Sequence, residues 1–176
     1  GRSDYTPQEL APLNIPYVCC SYDNQYGTLP PDSYASVSIA DEEEACRAVT
    51  ELYRCGHRRI AALVSGTEDR SISQLRYQGY VRALAAHGLP LERELVIEAG
   101  SFDIRQSYLA MQRRLLAGAR FTALFAISDN MAIGAMRALR EAGRRIPEDC
   151  SVIAIDGLTV SDYINPTLTT LRQPME

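Results

Sequence analysis

The sequence predicts an α/β protein built on a doubly wound parallel sheet, and three observations support this fold class. Short apolar runs alternate along the chain with segments of helical periodicity, as they do in βαβ units. The apolar runs are nearly continuous rather than alternating, which is typical of strands covered by helices on both faces. The 176 residues, 46% of them hydrophobic, are enough for one main core that needs no disulfide or metal.

The amino-terminal part predicts two short strands and a long helix. The strands are IPYVCC at 15–20 and YASVSI at 34–39, separated by a polar, proline-containing loop or crossover at 22–33. A helix is expected at 42–55, because Asp41 with Glu44 three residues later matches a capping arrangement and Gly56 follows the last turn.

The same pattern of strand and helix then repeats to the end of the chain. The strands are expected at 59–66, 95–100, 123–128 and 150–157, and the helices at 73–87, 104–116 and 129–142. Each of these helices ends before a glycine, the usual C-terminal stop. Alternating βαβ units with right-handed crossovers give a doubly wound layer.

Composition excludes several classes of chemistry. All 18 basic residues are arginine, so the chain lacks the lysine that Walker A loops, protein kinases and Schiff-base enzymes need. Five cysteines without a C-x-x-C pair suggest neither a zinc site nor a disulfide framework, and they fit a reducing, cytoplasmic compartment. The net charge of -4 argues against a nucleic-acid surface on this segment, and no apolar run approaches the roughly 20 residues of a membrane span.

The residues just past the predicted strands form a candidate ligand site, since ligands of such sheets bind outside the carboxyl ends of the strands. They lie at 65–70, 100–102, 128–130 and 156–159, and they include arginine, carboxylate, hydroxyl and aromatic side chains. The set has no nucleophile paired with a base and no G-x-G-x-x-G loop. It favours binding of a small polar ligand over its transformation, so no enzyme activity, metal or cofactor is expected.

A series of short motifs covers most of the chain. They are G-H-R-R-I-A at 56–61, R-x-x-G-Y at 76–80, A-L-x-x-x-G-L at 83–89, TALFAISDNMAIGAMRAL at 122–139, GRRIPEDCSVIAIDG at 143–157 and NPTLTTLRQP at 165–174. In this order and spacing they resemble the LacI/GalR bacterial transcription regulators, in the effector core that is periplasmic-binding-protein-like.

That resemblance implies a two-lobed core that clamps a sugar or nucleobase and controls an N-terminal helix-turn-helix on operator DNA. Residues 34–172 would be the C-terminal effector-binding lobe, 1–33 a stub of the first lobe with a crossover, and 173–176 the return crossover. The chain has no initiator Met, and the helix-turn-helix and most of the first lobe are expected outside it. This segment alone is expected to bind a small effector, and neither operator DNA nor a membrane.

Three residues match the most distinctive ligand positions of that family. Arg76 would hold ligand hydroxyls or a carboxylate with its planar fork, unless it is a surface arginine. Asp156 would accept two sugar hydroxyls, unless it is a turn or cap aspartate. Phe102 matches an aromatic that stacks on the ligand ring, and an ordinary core phenylalanine is the alternative.

Five further residues complete the expected ligand set. Ser128 is expected to contact the ligand, and Asp129 is counted with it although an N-cap role is a sufficient reason for an aspartate there. Arg70 either faces a nucleobase ligand or is solvated. Ser21 and Gln173 match hinge-side positions that touch ligand in some members of the family.

A dimer interface is also implied, because two DNA-binding heads read a two-fold operator. It would involve Ala132 and Met136 on the last helix with Tyr163 and Ile164 in the loop after Asp156. The alternative is that the helical stripe belongs to the core.

An exported sugar-binding receptor of an ABC transporter shares the two-lobed fold and is the alternative function. The odd number of cysteines and the G-H-R-R-I run favour the regulator.

Overall fold

The computed structural model of the protein describes residues 6–13, 15–20, 28–68 and 71–174. The strands in this part of the chain are β1 Val18–Cys20, β2 Ala35–Val37, β3 Ile60–Val64, β4 Val96–Glu98, β5 Ala123–Ala126, β6 Ser151–Asp156 and β7 Thr169–Arg172. The helices are α1 Pro7–Leu10, α2 Asp41–Arg54, α3 Ile72–Ala86, α4 Ile104–Leu116 and α5 Asp129–Glu141. The doubly wound α/β fold predicted from the sequence is confirmed.

The main sheet has five parallel strands in the order β4-β3-β5-β6-β7. The chain steps outward from β3 to β4, then crosses back to β5, so the strand order reverses between β3 and β5. With the right-handed crossovers that parallel sheets adopt, α3 lies on one face and α4 and α5 on the other. The helices pack in matching pairs, α2 against α3 and α4 against α5.

Both central strands are apolar along their whole length. Every residue of β3 and β5 is buried, as expected for strands with helices on both faces. Helix packing is close because glycines lie at the contacts: a Cβ on Gly79 of α3 would stand 2.2 Å from the Glu42 carbonyl oxygen of α2.

Local sequence signals account for most helix ends. Ser71 and Asp103 cap α3 and α4 by accepting backbone N–H bonds, and Gly143 follows α5 with a φ of 77°. The predicted capping role of Asp41 is wrong. Ala40 is the N-cap of α2 and gives no side-chain cap, while the Asp41 carboxylate points to α3.

Two strands differ from the prediction. The strand β7 was not predicted, and its partly exposed, threonine-containing sequence TTLR pairs in parallel with β6 at the sheet edge. The strand β2 was expected with the lobe, but it pairs with β1 in a separate two-stranded parallel sheet.

All five cysteines are free thiols. Within the described part of the chain, no helix has both the length and the apolar character needed to cross a membrane.

Candidate functional site

The carboxyl ends of β5, β6 and β7 bring together four side chains that we call the carboxyl-edge site. They are Arg76 of α3, Asp129 at the start of α5, Asp156 at the end of β6 and Gln173 just after β7. Hydrogen bonds link Arg76, Asp129 and Gln173 to Asp156. This is the edge of the sheet at which the sequence predicted a ligand site.

Arg76 lies beneath this edge, with only 1% of its side chain exposed. Its Nε donates to Asp41 Oδ1 at 2.7 Å, and its Nη1 donates to the Ile127 carbonyl oxygen and to Asp156 Oδ1, the latter at 3.2 Å. Two carboxylates thus surround one buried guanidinium, which offsets the large cost of burying the charge. The Nη2 group donates to no residue in the described chain. The alternative of a surface arginine is therefore wrong.

Asp156 is the most accessible carboxylate of the carboxyl-edge site, with 22% of its side chain exposed. Its Oδ1 accepts hydrogen bonds from Arg76 and from Gln173 Nε2, the latter at 2.7 Å, and its Oδ2 accepts the Asp129 N–H at 3.4 Å. Burial raises the pKa of Asp156 above its ordinary value, and the positive charge of Arg76 opposes that rise. The backbone φ of 153° is unusual for a residue other than glycine, and such strain is common at functional sites.

Asp129 has a different role from the predicted N-cap. Its side chain is fully buried, and Oδ2 accepts the Leu158 N–H and the Ser161 hydroxyl, each at 2.7 Å. Its Oδ1 accepts the Thr170 hydroxyl at 2.5 Å. With three internal donors and no exposed surface, Asp129 lies behind the site and holds the 157–162 loop and β7 in place. The prediction that it contacts ligand is corrected for this reason.

The N-cap of α5 is Ser128 instead. Its hydroxyl accepts the Met131 N–H at 3.3 Å, and only 4% of the residue is exposed. The structure therefore gives Ser128 the capping role that the sequence assigned to Asp129. Ligand contact by Ser128 stays a prediction.

An open pocket of about 810 Å³ adjoins Asp156 and Gln173. Its other walls come from residues 157–159 in the loop after β6, from Arg172 at the end of β7 and from Pro174. Position 157 requires glycine for two reasons: a Cβ there would lie 2.6 Å from the Arg172 Cα, and the backbone φ is 74°. The pocket is thus lined by a carboxylate and an amide, which can accept and donate hydrogen bonds to a polar ligand.

The other three predicted ligand residues are Phe102, Ser21 and Arg70. Phe102 is half-buried in the turn before α4, where it packs against the main core. Its stacking role stays a prediction. Ser21 and Arg70 lie outside the described residues.

The predicted dimer interface is only partly available. Ala132 and Met136 are 0% and 4% exposed and belong to the core, so they have no surface to offer a partner, and this part of the prediction is corrected. Tyr163 is 82% exposed, whereas Ile164 is half-buried against the core. The stripe on α5 is therefore a packing face.

Several residues of the carboxyl-edge site were missed by sequence reasoning. Asp41, Thr170 and Ser161 were given no place in it, although all three bond to its members. Their partners lie 35, 41 and 32 positions away in the chain, so no local pattern could have revealed the contacts.

Comparison with known proteins decides the family. The model of the periplasmic binding protein-like domain family matches residues 49–176. The probable HTH-type transcriptional repressor ExuR of Bacillus subtilis is 36% identical over 163 residues, covering 93% of this chain and 47% of the relative. The chain belongs to the LacI/GalR family, in its periplasmic-binding-protein-like effector core.

Two further relatives agree with this LacI/GalR assignment. The HTH-type transcriptional regulator CelR of Thermobifida fusca is 35% identical over 99% of this chain and 50% of the relative. The solved CelR–cellobiose complex superimposes with a TM-score of 0.84 at 34% identity, covering 96% of this chain and 50% of that one. The chain spans about half the length of these curated relatives.

All of these LacI/GalR relatives are transcriptional regulators rather than enzymes. The alternative of an exported transport receptor is not favoured by them.

Proposed function

We propose that this chain is the effector-sensing lobe of a transcriptional repressor, in which a small sugar-like or nucleobase ligand bound at the carboxyl-edge site modulates operator binding. The observation that carries the proposal is the set of hydrogen bonds joining Arg76, Asp156 and Gln173 beside an open pocket. The relationship to regulators, one of them solved with cellobiose, supplies the ligand class.

Asp156 is the proposed anchor for ligand hydroxyls. Arg76 Nη1 and Gln173 Nε2 already occupy Oδ1, whereas Oδ2 accepts a single long hydrogen bond from the described residues, donated by the Asp129 N–H. A hydroxyl can therefore donate to Oδ2 directly, and each such charge-assisted bond contributes roughly 1.5 to 3 kcal/mol. A second hydroxyl bound at Oδ1 would replace Gln173.

Arg76 has two proposed roles. Its positive charge beneath Asp156 opposes the effect of burial on that carboxyl and favours the ionised form, which accepts hydrogen bonds. Its Nη2 group bonds to no described residue, and we propose that it donates to a ligand that reaches past Asp156, since Arg76 is only 1% exposed and does not itself line the pocket.

Gln173 connects the site to the rest of the proposed switch. Its backbone N–H also donates to the Asp156 carbonyl oxygen, at 3.1 Å, so the start of the proposed return crossover is held to the ligand anchor twice. A ligand acts as a switch only if it prefers one arrangement of the two lobes, and displacement of Gln173 would give it such a preference.

The partners and the location follow from the same proposal. The intact protein would be a homodimer in the cytoplasm that binds operator DNA through an N-terminal helix-turn-helix. One lobe supplies half of the clamp, so we expect this lobe alone to bind effector with at best millimolar affinity, on the order of -4 kcal/mol.

Calorimetry on the intact protein tests the ligand site. Cellobiose, a panel of other mono- and disaccharides, and free nucleobases are titrated into the wild type, the Asp156→Asn variant and the Glu148→Gln variant. Glu148 is a matched control, because it is an exposed carboxylate in the turn before β6 that does not line the pocket. The proposal expects a ligand that binds the wild type and the control but binds Asp156→Asn at least about tenfold more weakly. Equal binding to all three proteins would remove Asp156 from the site.

A further inference from the structure

The opposite edge of the main sheet holds a second concave surface, which we call the amino-edge pocket. It has a volume of about 680 Å³ and lies where β3 and β5 begin. Its polar lining is Arg58, Arg59, Arg120, Thr122, Arg144 and Asp149. It is separated from the carboxyl-edge site by the length of the strands, and the proposed function does not use it.

Two short motifs bring the arginines of this pocket together. The pair Arg58 and Arg59 follows the glycine that ends α2, and the pair Arg144 and Arg145 follows the glycine that ends α5. Each pair precedes a strand of the same parallel sheet, so both turns lie at the edge where the strands begin. Arg120, just before β5, lies between them in the chain.

Arg58 and Arg144 are held in place by groups that carry no charge. Arg58 Nη1 donates to the carbonyl oxygens of Tyr53 and His57 at 3.1 and 3.0 Å, and its guanidinium lies 4.0 Å from the centre of the Tyr53 ring. Arg144 donates to the carbonyl oxygens of Phe121 and Ala119 at 3.0 and 3.1 Å, with its guanidinium 5.0 Å from the centre of the Phe121 ring. These contacts orient the two guanidinium groups without an ion pair to either one. The carboxylate in the pocket, Asp149, is close enough for Arg144 to help lower its pKa, but its hydrogen bonds are to Arg145.

The other charges of the amino-edge pocket are paired. Arg59 Nη2 bonds to Glu92 and Glu94 at 2.6 and 2.8 Å, and Arg145 forms a two-bond ion pair with Asp149. By contrast, Arg58, Arg120 and Arg144 form no ion pair with any residue that the structure describes. In addition, the buried Nε of Arg59 has no hydrogen-bond acceptor within the described chain.

Hydrogen bonds to nearby carbonyl oxygens use only part of the donor capacity of these arginines. Arg58 and Arg144 each use two of five N–H donors on carbonyl oxygens, so three donors per side chain remain. Arg120 has no such structural role, because it is exposed and makes no hydrogen bond with the described residues. Three guanidinium groups that form no ion pair with a described residue therefore face one pocket, where their remaining donors can bind an anion.

We propose that the amino-edge pocket binds a small, multiply charged oxyanion of the phosphate class, such as inorganic pyrophosphate or a phosphorylated metabolite. Guanidinium forks match the paired oxygens of phosphate, and a fixed fork loses less entropy on binding. The concave shape and the chain's net charge of -4 favour a small anion over nucleic acid, whose binding requires an extended basic surface.

Titration of the intact protein with inorganic pyrophosphate at low ionic strength tests this proposal. Isothermal calorimetry is run on the wild type, on Arg120→Ala and on Arg105→Ala. Arg105 is a matched control, since it is an exposed arginine on α4 that is not part of the pocket lining. We expect saturable binding to one site per chain, weakened about tenfold by Arg120→Ala and unchanged by Arg105→Ala.

A second variant and a competition experiment with DNA test the same pocket independently. Arg144→Gln should also weaken binding, and circular dichroism checks that its helices are retained. Non-saturable binding by the wild type, or equal weakening by Arg120→Ala and Arg105→Ala, would overturn the proposal. Displacement of pyrophosphate by a mixed-sequence DNA duplex at lower phosphate concentration would show that the patch serves nucleic acid, which also overturns the small-anion assignment.

Discussion

The two edges of the main sheet use the same side chain in opposite ways. At the carboxyl edge, Arg76 is buried and bonded to two carboxylates, and the whole set is tied into the fold. At the amino edge, Arg58 and Arg144 are oriented by carbonyl oxygens and rings and form no ion pair with a described residue, and the Asp149 carboxylate in the same pocket is bonded to Arg145 instead. The side chains are identical, so their different roles follow from the groups that each one contacts. Arg76 is neutralised by the two carboxylates that it joins. Arg58 and Arg144 bond to neutral carbonyl oxygens, so they can still attract an anion.

This contrast predicts different energetic costs at the two edges. A buried charge that loses its partner is costly, while a solvent-exposed charge contributes little to the free energy of unfolding. Substitutions at the carboxyl edge should therefore reduce stability far more than substitutions at the amino edge.

The largest effect is expected from Arg76→Met. The change leaves the Asp41 and Asp156 carboxylates without the cation between them, and it removes a donor to the Ile127 carbonyl oxygen. We expect a loss of about 3 to 5 kcal/mol in the free energy of unfolding, measured by urea denaturation. Adding Asp41→Asn to this variant removes one of the two carboxylate charges that Arg76 balanced, so the double variant should be more stable than the single one. If Arg76→Met costs less than 1 kcal/mol, the buried pairing does not exist in solution.

Asp129→Ala should have the next largest effect. Three donors, the Leu158 N–H and the hydroxyls of Ser161 and Thr170, lose their acceptor, and we expect a loss of about 2 to 3 kcal/mol. Hydrogen exchange gives a local measure, since the Leu158 amide should exchange faster than in the wild type. Unchanged protection of that amide would contradict the role of Asp129 in holding the 157–162 loop.

The two edges should also respond to acid with opposite signs. Burial raises the pKa of Asp156 in the folded state, so the folded chain takes up this proton first, and the contribution of Asp156 to stability rises as the pH falls through its folded pKa. Arg145 lowers the pKa of Asp149 to about 2, so the stability from this pair is present above the ordinary carboxyl pKa and is lost as the pH falls towards 2.

Urea denaturation of Asp156→Asn and Asp149→Asn at several pH values between about 2 and 6 separates these effects. Relative to the wild type, Asp149→Asn should be less sensitive to acid and Asp156→Asn more sensitive. Two variants with parallel pH profiles would show that one of these environments is wrongly described.

The smallest change in stability is expected from Arg120→Ala at the amino edge. Its side chain is exposed and unpaired with any described residue, so the free energy of unfolding should change by less than about 0.5 kcal/mol. The same substitution is expected to weaken pyrophosphate binding, which separates a binding role from a structural one. A loss of more than 2 kcal/mol in thermal or urea unfolding would make Arg120 a structural residue and remove the contrast between the edges.

The sequence predicted the elements whose signals are local. The helices α3, α4 and α5 lie within a residue of their expected bounds, because apolar periodicity, capping residues and terminal glycines mark them. The edge strand β7 was missed, since its short, half-exposed sequence lacks the continuous apolar run of a central strand.

The site was harder to predict than the fold because its bonds are long-range. Position after a strand indicated Asp156, and motif order indicated Arg76 and Gln173. Asp41 and Asp129 each lie at a helix start, where capping is the ordinary local role, and only the tertiary contacts show that their carboxylates serve Arg76 and the 157–162 loop instead. The helical stripe containing Met136 was similarly ambiguous between core and interface until the packing of α5 was known.

The proposed function is tested most directly by operator binding of the intact protein. Fluorescence anisotropy would measure the Kd for DNA from the promoter region of its own gene, with and without each ligand of the saccharide and nucleobase panel, for the wild type and for Asp156→Asn. The account predicts that at least one ligand changes the wild-type Kd about fivefold or more, and that Asp156→Asn binds the same DNA but loses this response. Absence of specific DNA binding, a wild-type Kd that no ligand changes, or an equal response in the variant would contradict an effector-sensing role for the carboxyl-edge site.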